Sequence, residues 1–127
     1  MGRSVRYERP AAALSSARVL LVEDSFLILM ELESALLDAG AEAVCCRTVG
    51  EALATLDAQP VSAAVLDVQL DRETSESIAE RLARQDIPFV FYTAQPEGHD
   101  AWPKCRVISK PAPRETIVAA VADLLER

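Results

Sequence analysis

The chain has 127 residues, 50% hydrophobic and 26% charged. That size and balance suit one folded domain with a single core and exclude a disordered chain. Thirteen Lys and Arg against twenty Asp and Glu give a net charge of −7, which argues against nucleic acid as the main partner, because phosphate contacts need a basic face. No apolar run reaches the roughly 18 residues of a membrane helix. The apolar stretch after Arg3, Arg6 and Arg9 is too short for a secretory signal, so a cytoplasmic location without membrane attachment is expected. The three cysteines, Cys45, Cys46 and Cys105, make neither a disulfide framework nor a zinc spacing and read as reduced thiols.

Residues 1–17, with Pro, Ala and Ser but no periodicity, are expected to form a poorly ordered tail. Regular structure is expected from Arg18 onward. Residues 19–22 are a continuous apolar run ended by Glu23 and Asp24, the pattern of a strand buried on both faces. Ser25 is placed to cap a helix over 26–38, with Leu29, Leu32 and Leu36 on its inner face and Phe26 and Met30 alongside. Gly40 stands where that helix stops. The unit then repeats. A strand at 43–46 precedes a helix at 49–58 that ends before Pro60. A strand at 63–66 closes on Asp67, and a helix follows at 74–84. A fourth strand, 89–92, ends at Thr93. A fifth, 106–108, runs into Ser109-Lys110-Pro111, and a helix at 115–126 completes the chain. Between the last two strands, Pro96, Gly98 and Pro103 disfavour a full helix over 95–104. Trp102 is expected to pack on the sheet surface. His99 has no partner nearby in sequence and is given no role.

Such alternation predicts an α/β fold: a flavodoxin-like, doubly wound, five-stranded parallel sheet in the order 2-1-3-4-5, with a shortened or irregular fourth helix. With that order, Glu23 and Asp24 after strand one converge with Asp67 after strand three, and Thr93 and Lys110 follow neighbouring strands. Three carboxylates repel one another unless a cation joins them, and oxygen-only ligands favour Mg²⁺ or Mn²⁺. A hard cation, a lysine and a hydroxyl around one carboxylate are the set required for in-line phosphoryl transfer to that carboxylate.

These residues resemble the receiver domain of two-component response regulators. Residues 19–24 are similar to the family's first strand and acidic pair, and Val65-Leu66-Asp67 to its phosphoacceptor strand. Phe91-Tyr92-Thr93-Ala94 resembles the hydroxyl position followed by a small residue. Ser109-Lys110-Pro111 resembles the family's lysine and its usually cis proline. The likeness extends over 18–127. It implies that Asp67 accepts the phosphoryl group and that Mg²⁺ is held by Asp24, Asp67 and the Gln69 backbone carbonyl, with Glu23 in support. It implies further that Lys110 and Thr93 contact the phosphoryl oxygens and that Ala94 leaves room for them. Gln69 and Gln95 stand where family members flank the attacking water, so both are expected to tune the lifetime of the phosphorylated state.

The chain also departs from the family. Val107 occupies the usual place of an aromatic switch residue, and Tyr92 is the candidate to take a related part. The connection from Thr93 to Lys110 is short, and the loop after Asp67 lacks the common Pro and Gly. The resemblance implies a stand-alone receiver, a signalling protein rather than an enzyme. A histidine kinase or histidine phosphotransfer protein would phosphorylate it, and it would act through contact with a downstream protein as a monomer or weak homodimer. The alternative is a receiver-like interaction module that signals without phosphorylation.

Overall fold

The computed structural model describes residues 14–96, 102 and 105–126. In chain order the elements are β1 (Arg18–Val22), α1 (Phe26–Asp38), β2 (Glu42–Cys46), α2 (Val49–Ala58) and β3 (Ala63–Leu66). A short hairpin follows, β4 (Gln69–Leu70) and β5 (Glu73–Thr74), then α3 (Glu76–Arg84), β6 (Phe89–Thr93), β7 (Val107–Ser109) and α4 (Arg114–Leu125). The main sheet runs β2-β1-β3-β6-β7 with every pairing parallel. This is the expected doubly wound order, the hairpin standing apart from it.

Strand alternation divides the core into two layers. Val19 and Leu21 of β1, Val65 of β3, and Val90 and Tyr92 of β6 face α1 and α4, where Leu29, Leu32, Leu36, Ile117 and Val121 cover them. Leu20, Val22, Leu66 and Phe91 face the opposite way, against Ala52 and Leu56 of α2 and Ile78 and Leu82 of α3. A strand covered on both faces has to be apolar at every position, which is why β1 and β3 read as unbroken runs. Ser25 caps α1, accepting a hydrogen bond from Ile28 N–H, and Thr48 caps α2, accepting one from Glu51 N–H.

The structure corrects the sequence reading in several places. The third helix begins at Glu76, not Thr74, because residues 69–74 fold back as the hairpin. Asp71 makes that turn with φ 57°, a left-handed conformation that Asp tolerates better than most residues. The Gln69 side-chain amide ties it by donating to the Asp71 and Glu73 carbonyls at 3.0 and 3.1 Å. Phe26, expected alongside the inner face of α1, is 59% exposed. Of the expected tail, residues 1–13 lie outside the described residues, whereas Leu14 and Ala17 are buried in the α1–α4 layer, with Leu14 N–H bonded to Ala39 O. The packed body thus begins before Arg18. The last strand and last helix sit one residue from their expected bounds, a difference at fraying ends.

Between β6 and β7 none of the described residues is helical, and His99 lies outside them. Trp102 packs edge-on against Phe89 with ring centroids 5.6 Å apart. All three cysteines are free thiols. Burial, with Glu33 nearby, pushes the Cys45 thiol up to about 11. Among the described residues no helix is long and apolar enough to cross a membrane.

Candidate functional site

The sheet carries its chemistry just past the strand ends, and main-chain bonds extend the ladder to hold it there. Glu23 N–H donates to Cys46 O at 3.1 Å, Asp67 N–H to Val22 O at 2.9 Å, and Lys110 N–H to Thr93 O at 2.9 Å. Each residue is therefore fixed relative to its neighbouring strand before its side chain makes any contact.

The side chains then meet. Lys110 Nζ lies 2.8 Å from Asp67 Oδ2 and 2.7 Å from Glu23 Oε1, bridging the two carboxylates. Glu23 is 1% exposed, Asp67 is buried and Asp24 is half-buried. Carboxylate oxygens of Glu23, Asp24 and Asp67 all lie within 4.8 Å of one another. Glu23 Oε2 accepts a hydrogen bond from Ser25 N–H at 3.1 Å. Glu23 Oε1 faces the ammonium as an ion pair but has no aligned hydrogen-bond donor. Burial raises the Glu23 pKa above its ordinary value, opposed by Lys110 and the Ser25 amide and reinforced by Asp67. Burial alone would lower Lys110, but Asp67 and Glu23 outweigh it and hold the ammonium above the usual lysine value.

This donor set fits a hard divalent cation. Three carboxylates face one ammonium, which leaves the cluster under-neutralised, and the buried Glu23 oxygen without an aligned donor adds to that demand.

Of the remaining predicted residues, Gln69 follows the carboxyl end of β3, and Thr93, Ala94 and Gln95 end or follow β6. Thr93 is buried at the end of β6, its hydroxyl accepting a hydrogen bond from Gln95 N–H at 3.1 Å. Ala94 and Gln95 are exposed. Gln69 sits two positions past Asp67, and its amide nitrogen is engaged by the hairpin carbonyls. The Lys110–Pro111 peptide bond is cis. Tyr92 is buried, its hydroxyl accepting a hydrogen bond from Ala112 N–H at 3.2 Å and its ring centroid 5.7 Å from Lys110 Nζ. Val107 is half-buried against the α2–α3 layer.

Sequence reasoning missed Arg47. Its guanidinium donates to the Asp24 carbonyl at 2.9 and 3.3 Å and lies 5.9 Å from the Phe26 ring centroid, clasping the acidic loop. A single arginine after an edge strand has no motif to mark it. The hairpin is likewise tied to α2, where Glu73 Oε1 accepts a hydrogen bond from Val49 N–H at 3.3 Å.

No family model matches the sequence, and a search of the curated proteins finds no relative of it. Solved structures do match. The non-phosphorylated receiver domain of HemR from Leptospira biflexa aligns at 23% identity with a TM-score of 0.78, over 88% of this chain and 96% of that one. The REC domain of the PhyR response regulator from Erythrobacter litoralis aligns at 26% identity and a TM-score of 0.78, over 90% of this chain and 93% of that one. The response regulator PhyR from Brucella abortus aligns at 28% identity and a TM-score of 0.77, over 91% of this chain but 51% of that one, so the chain spans about half of that protein. The chain has the fold of the response-regulator receiver domains.

Proposed function

We propose that this chain is a response-regulator receiver that takes a phosphoryl group onto Asp67 in a Mg²⁺-dependent reaction. The fold supports a response-regulator-like signalling role. The observation that carries the finer reading is the Lys110 ammonium bridging buried Asp67 and Glu23, with Asp24 completing a cluster of carboxylate oxygens within 4.8 Å.

The donor is a phosphohistidine of a histidine kinase or phosphotransfer protein. An Asp67 carboxylate oxygen attacks phosphorus in line, the P–N bond breaks, and the imidazole leaves with the bonding electron pair. Asp24, Asp67 and the Gln69 carbonyl would hold the Mg²⁺, with Glu23 in support. A divalent cation bound there supplies positive charge to the transferring phosphoryl oxygens. Lys110, already at Asp67, is placed to pair with one of those oxygens. Thr93 is two residues from its Gln95 partner and is positioned to exchange that bond for a phosphoryl oxygen. Ala94 adds no bulk. Gln69 and Gln95 set how readily water reaches the acyl phosphate. Output is contact with a downstream protein, with the chain a monomer or weak homodimer in the cytoplasm.

A second reading, an interaction module that needs no phosphorylation, is favoured by one observation: Val107 stands where an aromatic residue usually reports the phosphorylated state. Incubation with acetyl phosphate and Mg²⁺, followed by intact-protein mass spectrometry, separates the two. The first reading expects one phosphoryl adduct, lost in Asp67→Asn and in EDTA. An unmodified wild-type mass at saturating Mg²⁺ selects the second.

A further inference from the structure

Tyr92 touches the turn after β7 at two points. Its hydroxyl accepts the Ala112 N–H hydrogen bond, and its ring lies against the Lys110 ammonium with the centroid 5.7 Å away. An aromatic face attracts a cation at such a distance. The two contacts bracket the segment that carries Lys110 into the site.

Tyr92 also borders an open pocket of about 250 Å³ between α1 and α4, lined by apolar Leu32, Ala35 and Ile117 and by the charged Glu31 and Arg114. Close packing normally holds a buried ring in one rotamer. Tyr92 has such packing in the α1–α4 layer, and the hydrogen bond at its hydroxyl adds a second restraint at the tip of the ring. A phenylalanine at the same position would keep the ring but lose the tether to the segment that carries Lys110.

Resting on the reading of Asp67 as phosphoacceptor, we propose that Tyr92 is a positioning residue for Lys110: its tethered ring confines the ammonium to the space between Asp67 and Glu23. The effect belongs to Lys110 and not to the metal ligands, because the contacts Tyr92 makes here are to the Lys110 ammonium and the Ala112 N–H.

The test uses the full chain with Tyr92→Phe and Tyr92→Leu. The rate of Asp67 phosphorylation by acetyl phosphate is measured alongside the Mg²⁺ dissociation constant and the melting temperature in EDTA. Both variants are expected to be phosphorylated about threefold or more slowly, with Mg²⁺ affinity near that of wild type. A second readout needs no phosphorylation. With ¹⁵N-lysine labelling, wild type should show a Lys110 ammonium resonance slowed in solvent exchange, and Tyr92→Phe should lose it. A Tyr92→Phe variant matching wild type in rate and in that resonance overturns the proposal, since packing by the ring alone would then suffice. Slowing that merely tracks weaker Mg²⁺ binding overturns it as well. A wild-type chain that shows the ammonium resonance but accepts no phosphoryl group overturns the phosphoacceptor reading instead.

Discussion

At the scale of the residue, Glu23 is a carboxylate held in the interior against its own desolvation. It is 1% exposed, and burial lifts its pKa above 4.5 despite the Lys110 ammonium 2.7 Å away. Between its unfolded and folded pKa values the folded state keeps a proton that the unfolded state has released. Stability therefore falls as pH rises through that window. Lys110 follows the same sign in a higher window and for a different cause: Asp67 and Glu23 favour its charged form, so its raised pKa contributes stability that is present below 10.5 and is lost as pH climbs through the folded value. Glu23→Gln is thus expected to melt higher than wild type in EDTA at neutral pH, with the advantage shrinking toward pH 4.5, where the wild-type carboxyl regains its proton. The same change should weaken Mg²⁺ binding by about tenfold or more, the usual effect of losing a supporting ligand. A pH series of thermal melts with a Mg²⁺ titration checks both halves, and a lower melting temperature at every pH would contradict the first.

At the scale of the element, short polar side chains cap the starts of α1 and α2, the two helices that follow β1 and β2. Thr48 caps α2 through a 3.1 Å bond from Glu51 N–H, and Glu51 in turn accepts the Arg47 N–H at 2.7 Å. This reciprocal pair orders the segment from which the Arg47 guanidinium reaches the Asp24 carbonyl. Thr48→Ala removes the cap and is expected to cost about 1 kcal/mol of unfolding free energy, whereas Thr48→Ser should keep most of it. Chemical denaturation of the three proteins measures the difference, and equal stability of Ala and Ser variants would count against the capping role. The β4–β5 hairpin shows the opposite relation between sequence and element. Residues 69–74 look like the approach to a helix, yet side-chain bonds from Gln69 and a left-handed Asp71 turn them back. Hydrophobic periodicity carries no trace of bonds from a side chain to its own backbone, which is why the helix was expected to start early.

At the scale of the whole molecule, one sheet with two covered faces holds the five strand ends in line. Leu20 shows how closely stability and site geometry are joined. It is fully buried on β1, the strand between β2 and β3, and sits three positions before Glu23. Leu20→Ala is expected to destabilise the fold by about 2–5 kcal/mol, the range for a truncated core leucine, a large share of the roughly 5–15 kcal/mol available to a domain. Urea unfolding measures it, and a loss under about 1 kcal/mol would mean that the two layers close over the cavity.

Because apolar runs and their polar stops are local features that burial enforces, the sequence alone determined the five strands of the main sheet and the residues that end them, but not the β4–β5 hairpin. It also marked Glu23, Asp24, Asp67, Thr93 and Lys110 as a set, by placing each at a strand end. Only the tertiary structure decided which of these touch. That Lys110 spans Asp67 and Glu23 together, that Arg47 clasps the acidic loop, and that Tyr92 touches both the lysine and the turn after it all depend on parallel pairing across distant segments. No local pattern encodes such distances, because they arise from the register of whole strands.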